Sequence, residues 1–128
     1  MLTNVQIISV PVSDQQAAHD FYVDLLGLSV IADSDMGPHG RWLQVGPDGA
    51  ATTLALVSGD ERAAPGSVGG LVFETTDIDG DVSALARRGV DFAAGIEDMP
   101  WARAARFADP DGNLLVLQTP AGARDLSR

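Results

Sequence analysis

Hydrophobic positions recur with two periods along this chain, and the switches between them delimit its elements. Val5 to Val12 alternates, with Ile8, Val10 and Val12 on one side and Ile7, Ser9 and Pro11 on the other. Its β-branched residues predict a strand, with Pro11 near the end or on an edge. Ser13-Asp14 then offers an N-cap, and Ala17, Ala18, Phe21, Tyr22, Leu25 and Leu26 recur at helical spacing before Gly27 stops the run. A helix over about 14–26 follows. Leu28 to Ala32 predicts a second strand, Asp33 to Gly40 a polar loop, and Arg41 to Val45 a third strand. Gly46-Pro47-Asp48-Gly49 carries turn chemistry and leads into a fourth strand, Thr52 to Val57.

Ser58 to Gly69 has no apolar periodicity and predicts a connecting loop. The pattern then starts again. Gly70 to Thr75 predicts a strand, and Thr76-Asp77 caps a helix with Ile78, Val82, Leu85 and Ala86 on one face, closed by Gly89. Val90 to Ala93 predicts another strand, Ala94 to Ala102 a loop, and Arg103 to Ala108 a strand. The turn Asp109-Pro110-Asp111-Gly112-Asn113 feeds a last strand, Leu114 to Gln118. Thr119 to Arg128, with Pro, Gly and charges, is expected to fray. The two Pro-Asp-Gly turns lie 63 positions apart, as do Ser13-Asp14 and Thr76-Asp77, and Gly27 lies 62 before Gly89. A cap, a helix stop and a hairpin turn in one order predict tandem βαβββ units. The expected organisation is a single domain over 1–128, with module one at about 5–57, a linker at 58–69, module two at about 70–118 and a tail at 119–128.

Composition then narrows the function. The chain has 128 residues and is 45% hydrophobic, which suits one domain with its own core. A formal charge of -10 removes a general electrostatic footprint for nucleic acid or anionic membrane. Zero cysteines exclude disulfides, thiolate nucleophiles and cysteine-based metal sites. No run of about 18 apolar residues predicts a membrane span, and the N-terminus has no leader pattern. A soluble cytoplasmic protein without nucleic-acid or membrane partners is the expectation.

The segments VPVSDQQAAHDFYVDLLGL, GLVFETTDID and FADPDGNLLVL resemble the vicinal oxygen chelate superfamily, which includes glyoxalase I, extradiol dioxygenases, fosfomycin-resistance transferases and bleomycin-resistance proteins. The resemblance runs from about Val5 to Gln118. It implies an α+β fold of two tandem βαβββ modules, whose curved mixed sheets form a cleft, commonly in a homodimer. In metal-using members the ligands fall at places that correspond here to Ile7, Gly70 and Val116, with a further place near Ala55. None of these residues has a donor atom, whereas such a cation needs oxygen or imidazole donors at about 2.0–2.3 Å. No metal and no other cofactor is therefore expected, and an apolar cleft floor is.

The period-2 rule carries the facing further. If Ile7 faces the cleft, so does Ser9; if Val116 does, so do Leu114 and Gln118; Gly70, Val72 and Glu74 form a third set, in which Glu74 is the only carboxylate. Leu43 and Val45 suit the core, which leaves Trp42 as a stacking surface and Gln44 as a hydrogen-bond partner. Phe107 suits the core in the same way, so Ala104 and Arg106 point inward. Arg106 is the candidate for an anionic or carbonyl group, and the resemblance adds a polar cleft residue at that place in fosfomycin-resistance transferases. Trp101, after Pro100 in a loop, could overhang the cleft mouth. His39 lies in the Gly37-Pro38-His39-Gly40 loop, and His19 is expected to be exposed on the first helix.

The leading expectation is a metal-independent binder of bleomycin-resistance type. It would hold an aromatic or amphipathic small molecule with Ile7, Ser9, Trp42, Gln44, Ala55, Gly70, Trp101, Arg106, Val116 and Gln118. The rival is an enzyme of the same superfamily (isomerase, lyase, dioxygenase or transferase): either a metal-free isomerase or lyase using Glu74 or His39 as base, or a metal enzyme with a rearranged site. A dimeric accessory module with a vestigial cleft is a third reading.

Overall fold

The computed structural model describes residues 1–59 and 63–119, so residues 60–62 of the expected linker and all but the first residue of the expected tail lie outside the described residues. The chain forms two compact units, Met1–Val68 with Pro110–Asn113 and Gly69–Asp109 with the last strand.

In the first unit β1 (Ile7–Pro11) is followed by α1 (Gln15–His19), then by β2 (Ser29–Asp35), β3 (Arg41–Gly46) and β4 (Thr53–Val57). The strands form one mixed sheet in the order β1-β4-β3-β2, with β1 parallel to β4 and the other pairs antiparallel. Pro11 is thus tolerated on an edge strand, where half of the backbone donors need no ladder partner. Asp14 caps α1 by accepting from the backbone N–H groups of Gln16 and Ala17 at 2.9 and 3.1 Å. The helix continues in a wider turn, Asp20–Leu25, in which Leu26 N–H reaches back five residues to Phe21 O. Gly27 ends it at φ 84, the left-handed conformation that glycine adopts without a Cβ clash. One face of the sheet buries Val10, Leu43, Val45 and Leu56 together with Ala18 and Tyr22 of the helix, and this is the core of the unit. Gln15 Nε2 ties the helix to the sheet by donating to Arg41 O and Leu56 O at 2.9 and 2.8 Å.

The second unit repeats the plan with β5 (Leu71–Glu74), α2 (Ile78–Arg87), β6 (Ile96–Met99), β7 (Ala102–Ala108) and β8 (Leu114–Thr119), in the order β5-β8-β7-β6. β5 and β8 are parallel and the remaining pairs antiparallel. Asp77 caps α2 through Gly80 N–H at 3.0 Å, and Ile78 and Leu85 bury the apolar face of that helix. Eight strands in two mixed sheets bear out the predicted α+β fold of two βαβββ modules.

The differences are local. β2 runs on to Asp35 through a segment read as polar loop: this edge stretch is exposed, pairs with β3 and is tied to it by Asp33, which chelates Arg41. Its pairing shifts between Val30 and Ala32, a bulge that leaves Ile31 out of the ladder. Val90 to Ala93 is not a strand: Phe92 instead packs on Phe107 with ring centroids 5.1 Å apart, and Gly95 N–H closes a turn onto Phe92 O at 2.8 Å. The strand falls later, within the predicted loop, where Asp98 and Glu97 of β6 make ion pairs with Arg103 and Arg106 of β7. Thr119 does not fray but ends β8, donating from Oγ1 to Thr75 O at 3.2 Å.

The turn Pro110–Asn113 belongs to the first unit. Asn113 is fully buried there, donating to Pro11 O at 2.9 Å and accepting from Val68 N–H at 3.0 Å. Both oxygens of Asp111 accept from Ser13 N–H, at 3.1 and 3.2 Å. Among the described residues no helix is long and apolar enough to cross a membrane.

Candidate functional site

Direct cross-strand partners lie on the same side of a sheet, so the register assigns the faces. In the first sheet Ser9 pairs with Ala55, Ala55 with Gln44, and Gln44 with Ala32; beside this row Ile7 pairs with Thr53, and Trp42 with Ser34. These residues form the face turned away from α1. Trp42, 36% exposed, and Ser9 are exposed, Ile7 and Gln44 are half-buried, and Ala55 has no exposed surface. Leu43 and Val45 go to the core, as the alternation predicts.

Three polar side chains are linked on this face. Trp42 Nε1 donates to Gln44 Oε1 at 3.1 Å, and Gln44 Nε2 donates to Thr53 Oγ1 at 2.9 Å. The Thr53 hydroxyl lies 3.5 Å from Gln6 O, which also accepts the Thr53 backbone N–H at 2.9 Å. Sequence reasoning missed Thr53. Its threonine follows the hairpin turn without any chemical signal, and its partnership with Gln44 depends on the hairpin register.

In the second sheet Glu74 pairs with Gln118, Gln118 with Ala104 and Ala104 with Glu97; Val72 pairs with Val116 and Val116 with Arg106. This face is turned away from α2. Val116 and Ala104 are buried in it, Gln118 is half-buried, and Val72, Glu74 and Arg106 are exposed. Beyond the expected set, β6 adds a second carboxylate to this face, Glu97. Arg106 is not a free cation: it is ion-paired with Glu97. Gly70 lies exposed just ahead of β5, and Trp101, 62% exposed, sits in the turn between β6 and β7. His39 is exposed in a short 3-10 turn, Gly37–His39, of the first unit.

The other arginines serve the scaffold. Arg41 is chelated by Asp33 with both bonds at 2.8 Å, and this hydrogen bonding holds the Asp33 carboxyl below its ordinary range. Arg103 bridges Asp79 and Asp98 at 2.9 and 2.7 Å; the bond to Asp79, then the bond to Asp98, raises its pKa further above the ordinary value.

The residues that the sequence resemblance sets at metal-ligand positions are Ile7, Ala55, Gly70 and Val116, and an aliphatic chain or a hydrogen cannot ligate a cation. These residues do not fit a metal. A separate grouping, His19, Asp20 and Asp24, brings its donor atoms within 4.8 Å on the helix of the first unit. There Nδ1 of His19 hydrogen-bonds Asp20 at 3.0 Å, which chiefly holds the Asp20 carboxyl below its ordinary range, with Gln16 adding a second bond. A hollow of about 280 Å³ lies beside Pro11, Val12, Val57 and Pro65, and none of the predicted ligand residues lines it.

Comparison with known proteins agrees with this architecture. The family model described as Glyoxalase/Bleomycin resistance protein/Dioxygenase superfamily matches residues 4–117. The chain is 34% identical over 123 residues to the uncharacterized protein YetH of Bacillus subtilis (strain 168), covering 92% of this chain and 99% of YetH. It is similar in structure to TnmS3, an antibiotic binding protein from Streptomyces sp. CB03234, with TM-score 0.85, 47% identity, and coverage of 93% of this chain and 97% of TnmS3. A superfamily member from Sphaerobacter thermophilus DSM 20745 gives TM-score 0.83 and 38% identity, with coverage of 92% of this chain and 98% of that one.

Proposed function

Because the chain belongs to the Glyoxalase/Bleomycin resistance protein/Dioxygenase superfamily, we propose that it is a metal-independent small-molecule-binding protein that sequesters an aromatic or amphipathic compound. The observation that carries this reading is the far face of the first sheet, which presents an exposed indole held by Gln44 and carries the apolar Ile7 and Ala55 on the same side. A flat ligand stacked there removes apolar area from water at about 25 cal/mol per Å², and the fixed indole loses little freedom in return. Two further facts support the reading. The sequence resemblance sets aliphatic residues or glycine at the metal-ligand places, and the similar protein TnmS3 is described as an antibiotic binding protein. The protein is further proposed to act as a cytoplasmic homodimer. On the edge strand β2, the neighbouring exposed side chains Val30 and Ile31 offer apolar area for such an association.

The test is a tryptophan-fluorescence titration with a panel of aromatic antibiotics, before and after dialysis against a chelator. At least one compound quenches saturably with unchanged affinity after chelation, and Trp42→Phe removes most of the signal. Binding that disappears with the metal and returns on adding zinc, nickel, manganese or iron sinks the metal-independent reading.

A further inference from the structure

The relay on the first sheet defines what chemical group the site takes, given the binding reading above. An indole nitrogen donates and never accepts, so its bond to Gln44 fixes the amide with Oε1 toward Trp42. A flipped amide would set an NH2 group against an N–H. With that orientation, one proton on Gln44 Nε2 goes to Thr53 Oγ1, and Gln44 retains one N–H and one lone pair on Oε1. Accepting from Trp42 polarises the amide and strengthens the remaining N–H as a donor.

Charge restricts the group further. Ile7, Ser9, Ala32, Ser34, Trp42, Gln44, Thr53 and Ala55 are all uncharged. Arg41 belongs to the other face of the sheet and is chelated by Asp33. The whole chain carries a net charge of -10. A carboxylate docked beside Gln44 would give up its water with no cation from the described residues of this face to replace it, in a repulsive field. A neutral carbonyl has a much smaller desolvation cost and gains the Gln44 N–H.

We propose that Trp42, Gln44 and Thr53 read a neutral carbonyl or carboxamide on a flat aromatic ring, selecting it over both the parent hydrocarbon and the corresponding carboxylate. Trp42 supplies the stacking plane and Gln44 the hydrogen bond. Thr53 is a positioning residue that holds the Gln44 amide in register.

Isothermal titration of the full chain with 2-naphthamide, naphthalene and 2-naphthoate tests this, with Thr53→Val as the variant that keeps the branched shape and removes the acceptor. The amide binds about three- to ten-fold tighter than naphthalene, the gain of one hydrogen bond, and at least about ten-fold tighter than the carboxylate. In Thr53→Val the amide falls to the affinity of naphthalene, naphthalene binding is unchanged, and the Gln44 side-chain amide resonances shift toward solvent-exposed values. Carboxylate binding as tight as amide binding overturns the proposal, as does an amide preference that survives in Thr53→Val. Equal binding of all three probes overturns it while the binder reading stands, whereas failure of all three to bind up to their solubility limits overturns both.

Discussion

Replacing Asn113 by alanine tests how the first unit is closed at the end of β1. Asn113 is fully buried, and its amide joins two backbone groups far apart in the chain, the carbonyl of Pro11 at 2.9 Å and the N–H of Val68 at 3.0 Å. Alanine leaves both without that partner and opens a small void. A buried backbone group stranded in this way costs about 1–3 kcal/mol, and Val68 N–H, only partly buried, recovers some hydration. The expected loss is therefore about 2–4 kcal/mol, a sizeable part of the roughly 5–15 kcal/mol typical of a domain. Urea denaturation followed by circular dichroism reads it directly: with a slope of about 2 kcal/mol per M, the midpoint falls by about 1–2 M. Asn113→Asp is the control for polarity. It keeps an acceptor for Val68 but sets an oxygen against Pro11 O and buries a charge, so it destabilises at least as much. A midpoint shift below about 0.3 M for both variants, at unchanged slope, would refute the reasoning.

Removing the α1 cap by Asp14→Ala frees the N–H groups of Gln16 and Ala17 and lowers stability by about 0.5–2 kcal/mol in the same assay. Asp79 is held below the ordinary carboxylate range by its hydrogen bond to Arg103. Its folded-state pKa is depressed, so its contribution is complete above that range and is lost as pH falls through the folded value. Melting temperatures of Asp79→Asn should accordingly fall less than those of the wild type between about pH 5 and pH 2, and equal acid sensitivity contradicts the assignment. Arg106→Gln breaks a half-exposed ion pair with Glu97; it changes stability by less than about 1 kcal/mol and leaves the affinity for aromatic carboxylates unchanged, and a measurable loss of carboxylate binding would show Arg106 to be an anion site.

The features read correctly from the sequence are those whose physics is local. Asp14 and Asp77 are caps because a short acceptor just ahead of an apolar 3.6-residue pattern has few alternatives. Gly27, Gly49, Gly89 and Gly112 all sit at positive φ, where the helix stops and turn signals placed them. The alternation of Trp42 and Gln44 against Leu43 and Val45 gave the faces of β3 because only the aliphatic pair suits the core. What escaped depends on pairing across the chain. β6, Ile-Glu-Asp-Met, has weak strand propensity, and its ion pairs with Arg103 and Arg106 exist only once β7 lies beside it. Phe92 looked like part of a strand because an aromatic in an apolar run fits one, yet it packs against Phe107. Thr53 joined the site through the β3–β4 register alone, which no single segment encodes.

The central claim is that a small aromatic ligand binds on the far face of the first sheet without a metal. The most direct measurement is chemical-shift mapping on the isotopically labelled full chain, titrated in the presence of a chelator with a compound that quenches tryptophan fluorescence. A ligand on that face shifts, saturably, the Trp42 indole N–H, the Gln44 side-chain amide and the Ser9 and Thr53 backbone, with small changes at Tyr22 on the helix side. Shifts confined to the hollow at Pro11, Val57 and Pro65, to the His19–Asp20–Asp24 surface, or appearing only after a divalent metal is restored would contradict it.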